Sequence, residues 1–193
     1  MPKEPRAIFQ PVTAERWPDL ERLFERDSTC RGCFCMYWRV KRAQWQAQWG
    51  MGNRQALWQV VKRGEAPGLL GYVDGQPAVW VSVGPRETYS VLARSPVLKP
   101  VDAQPVWSVV CFFVDRPSRG RGLMTAALQA AVEYAAAQGA CIVEGYPVEP
   151  KPGKAPAVSA YMGLTPVFRE AGFVEAARRS PTHPVMRLQI APR

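Results

Sequence analysis

The sequence predicts an α/β (α+β) fold, and three stretches carry that reading. Val106 to Val114 (VWSVVCFFV) is an almost continuous apolar run, rich in β-branched and aromatic residues, as in a strand buried on both faces. Leu123 to Gln138 is rich in alanine and is stopped by Gly139, which reads as a helix. Cys141 to Tyr146 is a second buried strand. With the glycine-bearing turn Arg119–Gly122 between them, residues 106–146 read as strand, loop, helix and strand. That is one right-handed βαβ crossover.

The other elements follow along the chain. Residues 1–11 read as a strand or an ordered tail, anchored by Ile8 and Phe9. Trp17, Leu20, Leu23 and Phe24 recur at helical spacing, with Thr13 as a candidate N-cap, Glu15 in the first turn and Pro18 as an alternative start. Asp27, Ser28 and Gly32 are expected to end that helix. Cys30 to Trp38 reads as a loop or irregular turn. Trp38, Trp45 and Trp49 suggest a second helix, which Gly50 and Gly52 interrupt and Asn53 restarts through to Arg63. Helical spacing assigns Trp45, Trp49 and Trp58 to a buried helix face. Leu69–Val73, the Asp74-Gly75 turn and Ala78–Val83 read as a hairpin. Pro85 to Pro105 is loop-rich, with a short helix near Val91. Pro147 to Pro156 is a proline-rich loop. Thr165, as N-cap, and Pro166 start a short helix that ends at Gly172. Phe173–Ala177 and Val185–Ile190 close the fold as a strand pair.

Composition bounds the functional classes. A chain of 193 residues with 47% hydrophobic content can bury a sizeable core, so one domain over 1–193 is expected. Neither an export signal nor a stretch of roughly 20 apolar residues is visible, so the expectation is a cytoplasmic protein with no membrane partner. The net charge of +9 attracts anions, but no run of five basic residues marks a solvated tail. No recognition helix or basic-aromatic strand motif points to specific nucleic acid. The five cysteines read as reduced thiols, with Cys111 and Cys141 as small core residues. Cys30, Cys33 and Cys35 lack a second CxxC partner and predict no metal. One histidine, His183, argues against a histidine-based triad.

The segment Arg116 to Met124 (RPSRGRGLM) lies between a buried strand and a helix start. The first amides of a helix are unpaired and sit at the positive end of its dipole. Gly120 and Gly122 let the backbone approach a ligand, and Arg119 and Arg121 add charge. Together they predict a diphosphate cradle. The Gly-Lys-Ser/Thr of a nucleotide triphosphatase loop is absent, as is the third glycine of a dinucleotide fingerprint.

This loop, in its strand–helix context, resembles the Arg/Gln-x-x-Gly-x-Gly/Ala signature of the GCN5-related N-acetyltransferase (GNAT) superfamily. Val114, a four-residue spacer, and Arg119 to Met124 carry the likeness, with Met124 in place of the family's small final residue. Phe168 to Phe173 (FREAGF) is similar to the family's aromatic-x-x-x-Gly-Phe ending. The likeness covers about Val106 to Ile190, and the hairpin 69–83 fits it. The resemblance implies a mixed central β-sheet flanked by helices, with the βαβ unit binding acetyl-CoA or another acyl-CoA. The implied cofactor contacts are Phe112, Phe113 and Val114, then Arg119, Gly120, Arg121, Gly122, Leu123, Met124 and Thr125, with Phe168. It further implies direct attack of a small-molecule or peptide amine on the thioester, with residues 66–193 holding the acyl-CoA and the helical stretch 1–65 facing the acceptor. Phe34, Tyr37 and Trp38 are then candidate acceptor contacts.

Glu144 is the candidate base, because it stands inside an otherwise apolar strand where burial would raise its pKa. The alternative is a glutamate at the strand exit, facing water or paired with an arginine. The family's proton-donating tyrosine corresponds to Phe168, which cannot donate. Tyr161 and Tyr146 are the candidate replacements. A silent acyl-CoA-binding module of the same fold is the rival reading.

Overall fold

The computed structural model describes residues 7–150 and 161–190. The expected tail before Ala7, the final residues and the proline-rich loop from Lys151 lie outside those residues.

Seven strands form one mixed sheet in the order β1-β2-β3-β4-β5-β7-β6. They are β1 (Ile8–Pro11), β2 (Leu69–Val73), β3 (Gln76–Pro85), β4 (Trp107–Val114), β5 (Ile142–Gly145), β6 (Val174–Arg178) and β7 (Pro184–Gln189). β4 and β5 are the parallel pair, and the other neighbours are antiparallel. The helices are α1 (Trp17–Glu25), α2 (Ser28–Cys33), α3 (Arg42–Ala47), α4 (Met51–Lys62), α5 (Ser90–Arg94), α6 (Leu123–Ala137) and α7 (Thr165–Glu170).

Alternation along the strands puts the two faces of the sheet into different cores. Val79, Val81, Val109 and Phe112 pack with Leu123, Ala127, Leu128, Ala131 and Ala135 of α6. Leu70 and Trp80 face the other way and pack with Trp17, Leu20, Leu23 and Phe24 of α1 and Leu57 of α4. A third cluster gathers Trp38, Tyr89, Leu92, Val110, Tyr146 and Met162.

Several local expectations are corrected. α1 does end just before Asp27, but Asp27 also opens a further helix. It caps α2, its carboxylate accepting from the amides of Thr29 at 2.9 Å and Cys30 at 3.1 Å. Much of the stretch expected as a loop is therefore helical, with a 3-10 turn at Met36–Trp38. Leu164 is the N-cap residue of α7, and the Thr165 hydroxyl instead donates to the Val148 carbonyl at 3.1 Å. Cys141 is exposed rather than core, since β5 begins one residue later. Trp49 is 48% exposed, because α3 ends at Ala47 and a glycine separates Trp49 from α4.

The parallel pair is short. β4 and β5 are in register through Trp107–Val143, Ser108–Glu144 and Val109–Gly145. A bulge in β4 at Val110 follows, where the register with β3 shifts between Ser82 and Val83. Past Gly145 the chain no longer follows β4. Val148 bridges in parallel to Leu164 instead. Phe168 fills the space inside this fork. Its ring packs edge-on to Phe112 and Phe173 and is 0% exposed. A Cβ on Gly145 would stand 2.1 Å from that ring, and one on Gly163 2.6 Å. Gly145→Ala should lower the unfolding free energy by about 1–3 kcal/mol, the range for overpacking a filled core. Urea titration against the parent chain measures it.

Candidate active site

The loop after β4 is built to leave amides free. Asp115 accepts from the Arg116 amide and pairs with Arg26 at 2.5 Å, which fixes the strand exit to the end of α1. Arg119 reaches back, its Nε donating to the Val114 carbonyl at 3.0 Å. Gly120 and Gly122 adopt φ of +74° and +70°, which other L-residues rarely adopt. No described residue stands within 4 Å of where a Cβ would be on either, so the space above both is open. Gly122 is the N-cap residue of α6 and contributes no side-chain cap. The first amides of a fifteen-residue helix thus lie at an open surface, in a loop that also carries the exposed Arg116, Arg119 and Arg121. An anionic diphosphate fits this chemistry. Leu123 is buried, whereas Met124 and Thr125 are half-buried at the same helix start.

The edge of β4 that faces β5 is paired only as far as Val109. Phe112, Phe113 and Val114 lie beyond that point, where the fork opens. Phe112 points into the α6 core and Phe113 toward the N-terminal helices. Phe168 belongs to the core inside the fork rather than to an open surface.

Glu144 is fully buried, at 0% exposure. Its Oε1 accepts from Arg86 Nη1 at 2.5 Å and from the Tyr146 hydroxyl at 2.7 Å, and its Oε2 accepts from Arg187 Nε at 2.7 Å. Tyr146 also bonds to Arg86, and to Ser108 Oγ at 2.8 Å. Burial, with the Glu144 charge beside it, pushes the Tyr146 hydroxyl well above its usual pKa. Arg187 continues outward to Asp102 at 2.7 Å, and Arg86 Nη2 donates to the Leu98 carbonyl at 2.6 Å. Asp102 is held down to about 2 by its hydrogen bond from Arg187.

Tyr161 stands apart from this network and is 37% exposed. Partial burial, with Tyr37 and Cys111 nearby, raises its pKa, so it keeps its proton at neutral pH. Tyr37 is half-buried and packs edge-on to Trp38 and Trp45, with ring centroids 5.0 and 5.4 Å away. Trp38 is buried in the third cluster, and its indole N–H has no hydrogen-bond partner among the described residues. Phe34 is buried between Trp17 and Phe24, in the core of the helical layer, so Tyr37 is the most open of these three acceptor candidates.

Arg86, Arg187, Asp102 and Ser108 are missing from the sequence-based site. For Arg187 a signal exists: it interrupts an apolar strand just as Glu144 does, and the two are register partners across β5 and β7. Arg86 lies in a stretch without periodicity and carries none.

The acetyltransferase (GNAT) family matches the chain over residues 17–151. Solved structures of similar fold include a GNAT-family acetyltransferase from Streptococcus agalactiae 2603. It is 14% identical, with a TM-score of 0.57 and 96% of each chain covered. Another, from Listeria monocytogenes 4b F2365, is 8% identical, with a TM-score of 0.59 and 95% of each chain covered. A third is an N-acetyltransferase from Thermoplasma acidophilum in complex with coenzyme A. It is 8% identical, with a TM-score of 0.55, covering 96% of this chain and 99% of that one. At these identities the likeness is one of fold. No curated protein matches the chain.

The Glu144 network makes a measurable demand. Glu144→Gln leaves the buried Arg86 without its countercharge and Arg187 with Asp102 alone, which should lower stability by about 3–5 kcal/mol. Asp102→Asn, at the exposed end of the same chain of bonds, should cost far less. Denaturant midpoints for the two variants test the difference.

Proposed function

The chain belongs to the acetyltransferase (GNAT) family, and we propose that it transfers an acetyl group from acetyl-CoA to a primary amine by direct attack on the thioester. The observation that carries this reading is the uncapped start of α6 beneath two open, positive-φ glycines, at the end of a strand with a free edge. Amides of Leu123, Met124 and Thr125, with Arg119 and Arg121, would hold the diphosphate. Main-chain groups of Phe112, Phe113 and Val114 would pair with the pantetheine, and an amide there would polarise the thioester carbonyl.

Glu144 and Tyr146 have a positioning role in this reading, not a catalytic one. Each is buried, and each is engaged by partners on several sides. The acceptor nitrogen then loses its proton to solvent. The rate should follow the amine's own ionisation, so kcat/KM across a series of amines should rise with pH through each amine's pKa. A single fixed pKa shared by all amines would overturn this assignment.

Tyr161 is the proton donor for the departing CoA thiolate, since it is protonated, partly open and on the acceptor side. Tyr161→Phe should lower kcat about 100-fold, the lower end of what a positioned acid contributes, with acetyl-CoA affinity unchanged. The acceptor is a small-molecule or peptide amine that enters beside Tyr37.

Calorimetric titration with acetyl-CoA tests the cofactor reading. Arg119→Glu should weaken binding about 10–100-fold, the worth of one charge-assisted hydrogen bond. Equal affinity in the variant, or no binding by the parent chain, would overturn the cradle. A following screen of amines for release of free CoA thiol separates a transferase from a silent binding module.

A further inference from the structure

The acyl-transfer reading leaves the thiols of the acceptor side without a task, although the fold brings two of them into contact. Cys35 Sγ lies 3.5 Å from Cys111 Sγ. The two come from remote places. Cys35 stands in the turn between α2 and the 3-10 turn, beside Tyr37, and Cys111 is on β4 just past the bulge. Both are free thiols.

The turn is strained so as to present Cys35. Phe34 and Cys35 both take left-handed backbone angles, φ +44° and +51°, and neither is glycine. Packing of Phe34 against Trp17 and Phe24 holds that conformation. The Trp80 indole N–H then donates to Cys35 Sγ at 3.0 Å. The hydrogen bond from Cys111, with that of Trp80 and the charge of Arg39, brings the Cys35 thiol below its usual pKa despite burial. The Cys111 thiol is raised well above it, first by its bond to Cys35 and then by burial. The geometry is asymmetric as well, since Cys35 alone of the two sulfurs accepts the Trp80 indole N–H, which makes it the better placed nucleophile. Cys33, on the same side, is raised to about 11 by burial and is not so prepared.

We propose that Cys35 and Cys111 form a reversible disulfide that ties the acceptor-side turn to the cofactor strand and stops acyl transfer. The sulfurs need to close from 3.5 Å to about 2 Å, a shift that a turn can make more easily than a central strand. Hydrogen peroxide is the class of oxidant that suits a buried nucleophile, because it is hardly larger than water. The Cys35 thiolate attacks one peroxide oxygen, the O–O bond breaks, and the departing hydroxide takes up a proton as water. The Cys111 thiol then attacks the Cys35 sulfenic sulfur, the S–O bond breaks, and the second water leaves with the Cys111 proton. Two thiols lose two electrons and two protons, and the peroxide receives them. A small dithiol reverses the step by exchange. The turn that carries Cys35 also carries Tyr37, so closing the bond draws the acceptor wall onto β4.

The link is read without turnover, whereas its effect on transfer rests on the function proposed above. The purified chain is treated with hydrogen peroxide, remaining thiols are alkylated under denaturing conditions, and the digest is weighed. A peptide joining Cys35 to Cys111, two hydrogens lighter and released by dithiothreitol, is expected. It should persist in Cys33→Ser and vanish in Cys35→Ser and Cys111→Ser, or in the alanine variants if serine costs the fold. A digest with no such peptide, or with Cys33 in place of either partner, would overturn the pair. The oxidised chain should turn over acetyl-CoA more than tenfold more slowly, and dithiothreitol should restore it. A complete link with unchanged turnover would overturn the switch. Acetyl-CoA titration of the reduced chain, run alongside, reports separately on the acyl-transfer reading.

Discussion

The carboxylate of Glu144, buried between Arg86 and Arg187, fixes the place where the central sheet divides. It stands opposite Ser108 in the last stretch where β4 and β5 are paired. Arg187 ties this point to β7, and Arg86 ties it to the end of β3 and the carbonyl of Leu98. A charge with no countercharge would not be tolerated at this depth, so all three side chains must be present together. With that base locked, the strands can diverge above it without the sheet unravelling. Such an arrangement contributes little net stability and a defined geometry, since buried ion pairs seldom outperform apolar packing. Its value lies in where it puts β4.

What β4 gains is a free edge and a free end. Most strands in a closed sheet engage their backbone groups with neighbours, and an unpaired edge is normally covered or blunted. Here the bulge at Val110 and the departure of the chain after Gly145 remove the neighbour from one side of β4. At the end of that edge, α6 starts with no side chain to cap it. The two features are continuous in the chain. A ligand that is extended at one end and anionic at the other would satisfy both, and an acyl-CoA has that form.

Much of this was legible from residue order alone, and the legible part has one character. The βαβ unit, the hairpin and the glycine loop are local in sequence, so periodicity and the placement of Gly120, Gly122 and Gly139 reveal them. The unusual position of Glu144 was legible too, because a carboxylate in the run Cys-Ile-Val-Glu-Gly-Tyr violates the apolar pattern. Its partners were not. Arg86 is 58 residues away in a stretch without pattern, so nothing local marks it as a partner. Within the aromatic stripe from Phe34 to Trp58, Trp49 alone turned out exposed, for a different reason. The break was expected at Gly50, but α3 already ends at Ala47, so Trp49 lies between two helices rather than on the face of either. The cysteine contact lay beyond reach altogether, since it joins residues 76 apart through two left-handed backbone angles.

The absence of a hydroxyl at Phe168 follows from the same division of the sheet. The ring occupies the inside of the fork, where Gly145 and Gly163 both make room for it. It is enclosed by Phe112 and Phe173, within an apolar cluster of the described residues. A tyrosine there would carry its hydroxyl into an apolar core, at a desolvation cost of about 1–3 kcal/mol if it found no bond. A residue that fills the fork is therefore ill suited to carry a hydroxyl as well. Tyr161 lies only seven positions earlier, and it is open where Phe168 is closed. Under the proposed function, filling the fork and donating the proton would fall to separate side chains, and the wedge stays apolar.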